Sequence, residues 1–396
     1  MHVSAGWPVP GGNVCRAMPM ATGSSMPGCG ALLPESVDPS GPANQTLAFR
    51  CVDCAASTTG AATAHMSPPH PWLSVLVPFY RVEPYLRECV ESVLAQVDGG
   101  VEIVLLDDAS PDNCATIARD LRKAHGDVIR LLGHDRNRGL SAARNTLMAD
   151  ARGDYLWFLD SDDVLLPGAI AAVREAVSTH APDLVLCDFR VLREKFTLKH
   201  RLRGELHRRT WAGASQQLQS DPHVLLAGLL GARQLHAWSK IARVEVWRQA
   251  RFPEGRTFED IAVVPALVAN ARSFIHLDQP MVGYRQRADS IMATLAPEKI
   301  HHLMAALREL HAGLVPVAGD SGDARFALDY FCLRSLATTA QKAMGQEAAI
   351  VDDFRRTLAQ LFPDGPLQVL AHCRRRGWRV RDWRVRRGLR RLEALA

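Results

Sequence analysis

Three carboxylates, Asp160, Asp162 and Asp163, close a stretch that opens with Gly153, Asp154 and Tyr155. Ahead of them Tyr155 to Leu159 is apolar and aromatic, the composition of a short buried strand. Acids gathered at the carboxyl end of a strand repel one another and resist desolvation. A hard divalent cation such as Mg²⁺ or Mn²⁺ relieves both effects, because it takes carboxylate oxygens and shares itself with substrate phosphates. Open α/β sheets bind their ligands at this edge. The plain alternative is a solvated turn in which Asp162 or Asp163 caps the helix after Pro167.

Other residues share this character. Asp107 and Asp108 end a second apolar run, Val101 to Leu106, and are placed to hold ligand amides or hydroxyls; helix capping by Asp108 or Ser110 is the alternative. A first run, Leu73 to Val77, ends in Pro78, Phe79 and Tyr80. Arg136 to Asn145 reads as a turn feeding a helix whose first residues are small. There Gly139 and Ser141 allow close backbone approach, while Arg136 and Arg144 meet phosphate or a neighbouring carboxylate. Glu259 and Asp260 open an apolar helix over 261–269, where acids also answer the helix dipole. Neither a Gly-x-Gly-x-x-Gly turn nor a Walker-type loop follows the first strand, which disfavours dinucleotide oxidoreductases and P-loop enzymes.

Five strands and the helices between them must position these groups. Strands are expected at 73–77, 101–106, 128–132, 155–159 and 184–187, with helices at 83–97, from 110, at 139–151 and at 167–179. Their alternation implies a mostly parallel sheet with helices on both faces. Residues 193–236 show no clear period beyond a helix over 222–230. Leu303, Leu307, Leu310 and Leu314 have helical spacing, so a helical extension is expected there. The domain reading is a disordered leader over 1–70, a catalytic domain over 71–292, a helical extension over 293–371 and a basic tail over 372–396.

Composition narrows the class further. The 396 residues carry a net charge of +5, and no apolar run reaches the length of a membrane-spanning helix. Residues 1–26 lack a basic start followed by an apolar core, so no secretory signal is read and the location expected is cytoplasmic. The nine cysteines are scattered, and Cys51-x-x-Cys54 has no second pair to complete a zinc site.

Taken together, the segments Val75–Tyr80, Leu106–Ser110, Asn137–Asn145 and Leu159–Asp163 resemble, in order and spacing, family 2 inverting glycosyltransferases with the A-type nucleotide-sugar-binding fold. The resemblance covers about residues 72 to 292 and is closest to bacterial members that build capsular, exopolysaccharide or lipopolysaccharide glycans. It implies a nucleotide-sugar donor, UDP-linked, and a hydroxyl of a glycan or lipid-linked acceptor. It implies a donor site of Pro78, Tyr80, Glu83, Asp107, Asp108, Arg136, Gly139, Arg144, Asp160 and Ser161, with Tyr80, Asp107 and Asp108 around the base. Asp162, assisted by Asp160, would bind Mn²⁺ or Mg²⁺ on the diphosphate. The Glu259–Asp260 pair matches one whose Asp acts as general base in the family. Lys240, Arg285 and Arg287 are candidates for holding diphosphate charge.

Two rivals stand beside this reading. A nucleotidyltransferase would want a Gly-rich basic loop where Pro78 to Arg81 stands, and a non-catalytic sugar-nucleotide-binding module would lack the base. The tail carries arginines from Arg374 to Arg391, opposed only by Asp382 and Glu393. Trp378, Val385, Leu389, Leu392 and Ala396 share a helical face, the pattern of a basic amphipathic helix on an anionic membrane surface. A solvated tail and nucleic-acid binding are the alternatives; membrane attachment is preferred and no nucleic-acid partner is expected.

Overall fold

The computed structural model describes residues 70–193, 195–286, 296–342 and 348–394. The expected leader up to residue 69, Arg287 and the side chains of Leu392 and Ala396 lie outside what is described.

The chain begins as repeated strand–helix units: β1 (Leu73–Phe79), α1 (Glu83–Leu94), β2 (Val101–Asp107), α2 (Cys114–His125), β3 (Ile129–Gly133), α3 (Leu140–Asp150) and β4 (Tyr155–Phe158). A short β5 (Val164–Leu165), α4 (Ala169–His180) and β6 (Leu184–Leu192) follow. Then come α5 (Leu198–Leu202), α6 (Pro222–Ala232), β7 (Lys240–Arg243), α7 (Val244–Gln249), α8 (Glu259–Ala262), α9 (Val264–Asn270) and β8 (Phe274–Arg285). Five helices complete the chain: α10 (Pro297–Ala318), α11 (Gly322–Lys342), α12 (Ala348–Leu361), α13 (Leu367–Arg375) and α14 (Arg379–Ala394).

The strands form one sheet in the order β3-β2-β1-β4-β7-β6-β8-β5. β1, β2, β3 and β4 run parallel, as does the β6–β8 pair. β7 is antiparallel to both its neighbours and β5 is antiparallel to β8. The sheet is therefore mixed. β7 is a four-residue strand inserted between β4 and β6, and its pattern is too short to be legible alone.

Every residue of β1 is buried, as a central strand covered on both faces requires. Alternate residues divide between two cores. Leu73, Val75 and Val77 pack toward α1, α2 and α4, and Leu76 packs with α3, α6 and the C-terminal helices. The expected stripe Leu303, Leu307, Leu310 and Leu314 lies on α10 and is buried in that second core.

The C-terminal tail departs from expectation. Gly377, with φ +72°, ends α13, and α14 then packs along α11. Val385 and Leu389 are buried and Trp378 packs against the same core, so the apolar face expected to meet lipid is already covered by protein. The helix is amphipathic, and its apolar face meets α11. Gly388 is needed at this contact, because a Cβ there would sit 2.3 Å from the Ala337 carbonyl oxygen. Trp383 and Val380 remain exposed beside the arginines. Among the described residues no helix is long and apolar enough to cross a membrane.

Candidate active site

The carboxyl ends of β1, β2 and β4 open onto a cavity of about 690 Å³. Pro78, Tyr80, Asn137, Gly139, Asp160, Ser161, Asp162, Tyr284 and Arg285 line it. A second cavity, about 650 Å³, adjoins it across Gly139 and Leu140 and carries Glu259 and Asp260 on its wall.

Arg144 joins the two. Its guanidinium is 1% exposed and holds three carboxylates. Nη2 donates to Asp160 Oδ1 at 2.9 Å, and Nη1 donates to Glu259 Oε1 at 3.0 Å and Asp260 Oδ1 at 2.9 Å. The face of Phe252 lies 5.2 Å from its Cζ. A buried cation with three carboxyl partners keeps its charge, and these partners, Asp260 first, raise its pKa against the opposing effect of burial. Arg144 was expected at the nucleotide sugar, with a carboxylate partner as the alternative. Its terminal nitrogens donate to three protein acids, so in this structure it positions carboxylates.

Asn145, the next residue, anchors the loop that delivers the acid pair. Its Nδ2 donates to the Phe252 carbonyl at 2.8 Å, and its Oδ1 accepts from the Phe252 N–H at 3.0 Å. Phe258 then adopts φ 64°, a left-handed conformation costly for a bulky residue, immediately before Glu259. Such strain is kept where the surroundings over-determine a functional geometry. Burial first and the neighbouring Asp260 second push the Glu259 carboxyl up to about 7.

Asp108, expected at the nucleoside base, lines the first cavity beside Asn137 and Gly139. It is buried, and both oxygens are already bonded: Oδ1 to His134 Nδ1 at 2.6 Å and the Arg138 N–H at 2.9 Å, Oδ2 to Asn137 Nδ2 at 2.9 Å and the Gly139 N–H at 2.8 Å. These bonds fold the turn that separates the two cavities. Gly139, at φ +85°, supplies the turn's left-handed position. Asp107 accepts from the Ser110 N–H at 2.7 Å, and partial burial raises its pKa. Glu83 ties α1 to the same loop through the N–H and side-chain amide of Asn113. Arg136 is exposed and lies away from the lining of both cavities.

The acid cluster after β4 is partly desolvated. Asp163 is 1% exposed; its Oδ1 accepts from the Arg285 N–H at 2.8 Å, while Oδ2 is buried without a hydrogen-bond partner. Burial first, then Asp160 and Asp162, hold its carboxyl well above the usual carboxylate range. Asp160 spends one oxygen on Arg144, and Asp162 lines the first cavity. An all-oxygen donor set of one or two carboxylates facing a cavity suits a hard cation that keeps substrate phosphate in its shell.

Arg285 donates from Nε to the Asp162 carbonyl at 2.9 Å and remains on the cavity wall. Lys240 does not. It is buried, its Nζ donates to the His236 carbonyl at 2.7 Å, and burial pushes its amine down to about 8. It holds the chain below the second cavity and does not reach a diphosphate. Asp188, His207 and Asp278 form a further acid–histidine cluster at the bulge in β6 that the sequence did not reveal. There Asp188 already accepts from His276 and His207 and from the Thr210 N–H, bonds that pin the bulge.

A mixed sheet flanked by helices, with acids at the carboxyl ends of its parallel strands, is the architecture of the A-type glycosyltransferase fold. Residues 74–233 match the family described as Glycosyl transferase family 2, and the chain thus carries a glycosyltransferase domain of that family. The crystal structure of Staphylococcus aureus TarS residues 1–349 in complex with UDP-GlcNAc superposes with a TM-score of 0.61 at 18% identity, covering 76% of this chain and 83% of that one. Glycosyltransferase GlyA of Streptococcus pneumoniae is 25% identical over 241 residues, 60% of this chain and 34% of its own length. The minor teichoic acid biosynthesis protein GgaB of Bacillus subtilis is 25% identical over 224 residues, 56% of this chain and 23% of its own. The chain spans about a third or less of these two relatives.

Proposed function

We propose that this chain transfers a sugar from a nucleotide-sugar donor to an acceptor hydroxyl, with inversion at the anomeric carbon, in the synthesis of a bacterial surface polysaccharide. The observation that carries this reading is the Arg144 clamp, which fixes an acid of the first cavity, Asp160, to the acid pair of the second, Glu259 and Asp260. Such an arrangement holds a donor in one cavity and an acceptor in the other with a proton acceptor at their junction.

Tyr80 and Pro78 contact the nucleoside, and Asp160, Ser161 and Asp162 face the diphosphate. Asp162, with the free oxygen of Asp160, is the ligand set for Mn²⁺ or Mg²⁺, which when bound stabilises the charge of the departing nucleoside diphosphate. Asp260 takes the proton from the acceptor hydroxyl as that oxygen attacks. Arg144 keeps Asp260 oriented, and Glu259 lowers the local negative charge by holding its own proton near neutral pH. A UDP-linked donor is supported by the likeness in fold to TarS, which was crystallised with UDP-GlcNAc. A surface-polymer acceptor is supported by the likeness to GgaB. The cytoplasm is where such donors are met, and we place the chain there.

Incubation with a panel of sugar nucleotides, Mn²⁺ and candidate acceptors, followed by product analysis and determination of the new anomeric configuration, tests this. A nucleotidyltransferase would release pyrophosphate, and a binding module would leave the donor intact.

A further inference from the structure

The docking of α14 on α11 decides which of its residues meet water. Its inner side carries Val385, Gly388 and Leu389, all buried. At helical spacing the opposite side carries Val380, Trp383, Arg384 and Arg387, with Arg379 and Arg390 along one edge. All six are exposed, Val380 by 60% and Trp383 by 55%. The Arg387 guanidinium lies over the Trp383 ring, 5.6 Å from its centroid, so cation and indole form one surface. The acid within this stretch, Asp382, is buried on the inner side and paired with Arg374 and Arg386. Among the described residues no carboxylate pairs with Arg379, Arg387 or Arg390.

This face therefore combines four outward arginines with an aliphatic and an aromatic side chain between them, and no acid. Water solvates the arginines well, but it leaves Val380 and Trp383 unburied. An anionic lipid surface satisfies both halves at once. Guanidinium groups meet phosphate oxygens at headgroup level, while the indole and the valine enter the boundary with the acyl chains. A nucleic acid offers phosphates, but its backbone has no apolar layer to receive an aliphatic side chain. We propose that the outer face of α14, formed by Arg379, Val380, Trp383, Arg384, Arg387 and Arg390, docks on an anionic membrane surface. It is the face opposite to the one packed on α11, so docking leaves α14 seated in the fold. The inference stands independently of the sugar-transfer reading.

The full chain is co-sedimented with vesicles of phosphatidylglycerol and phosphatidylcholine in equal parts, and with phosphatidylcholine alone, at low and high ionic strength. The wild type binds the mixed vesicles, binds phosphatidylcholine at least tenfold more weakly, and loses affinity as ionic strength rises. Each arginine at anionic lipid contributes about fivefold to partitioning, so Arg379→Gln/Arg387→Gln/Arg390→Gln loses roughly a hundredfold. Val380→Ser/Trp383→Ser keeps every charge and loses roughly tenfold. Both variants change exposed side chains and melt as the wild type. Lys123→Gln/Arg201→Gln/Arg203→Gln removes the same charge from exposed positions elsewhere and binds as the wild type. No binding of the wild type to mixed vesicles, or equal affinity in the wild type and the arginine variant, overturns the proposal. So does a control that loses as much as the arginine variant, because attachment then follows net charge and not this face. A Val380→Ser/Trp383→Ser variant that binds as the wild type overturns the choice of lipid. Arginine-dependent binding to a duplex oligonucleotide without vesicle binding assigns the face to nucleic acid instead.

Discussion

Replacing Glu259 by Gln separates the electrostatics of the acid pair from its chemistry. The Glu259 carboxyl is pushed from an ordinary 4.5 up to about 7, by burial first and Asp260 second. A carboxyl whose folded pKa is raised binds its proton more tightly folded than unfolded, so stability falls as pH rises between the two values. Below about 4.5 the penalty is absent, and above about 7 it is complete. At about 1.4 kcal/mol per pH unit, the interval from 4.5 to 7 corresponds to roughly 3 kcal/mol at most. Arg144 and Asp260 readjust when Glu259 is neutralised, so we expect about 2 kcal/mol. Gln mimics the protonated acid and carries no such pH dependence. Urea unfolding at pH 5 and pH 8 should therefore show Glu259→Gln gaining on the wild type by about 2 kcal/mol between the two conditions. A difference that stays flat across this range, or one in which the wild type gains as pH rises, would refute the reasoning.

Two other outcomes are expected. Asp162→Ala should abolish metal-dependent donor binding while the melting temperature is kept, and unchanged Mn²⁺-dependent turnover in the folded variant would reject the assignment. Gly388→Ala should destabilise the chain by roughly 1–3 kcal/mol through overpacking against Ala337, outweighing the gain in helix propensity; a stabilised variant would show that α14 does not dock as described.

Much of the frame of the first cavity was legible because its elements are short, fully buried and regular. β1 and β4 announce themselves as unbroken apolar runs, and the acids after β4 mark the sheet edge that lines the first cavity. Arg144 was not legible in the same way. Its partners Glu259 and Asp260 stand 115 and 116 residues further on, and nothing local distinguishes a clamp for carboxylates from a cradle for phosphate. The partners of Asp108 were hidden for a related reason: nothing local to a strand end shows that the Asn137–Gly139 turn donates to both of its oxygens. β7 escaped because it is four residues long and carries a buried Lys240, contrary to its pattern. The face of α14 was seen but not its partner, since an apolar stripe has the same period whether it meets lipid or a second helix.

The central claim is that Asp260 removes the acceptor proton at the junction of the two cavities. Transfer by Asp260→Asn, measured with donor binding followed in parallel, tests it most directly. The account predicts transfer lowered by roughly a hundred- to ten-thousand-fold with donor affinity kept, and a Glu259→Gln variant that still transfers. Wild-type transfer by folded Asp260→Asn, or a crippled Glu259→Gln beside an active Asp260→Asn, would contradict it.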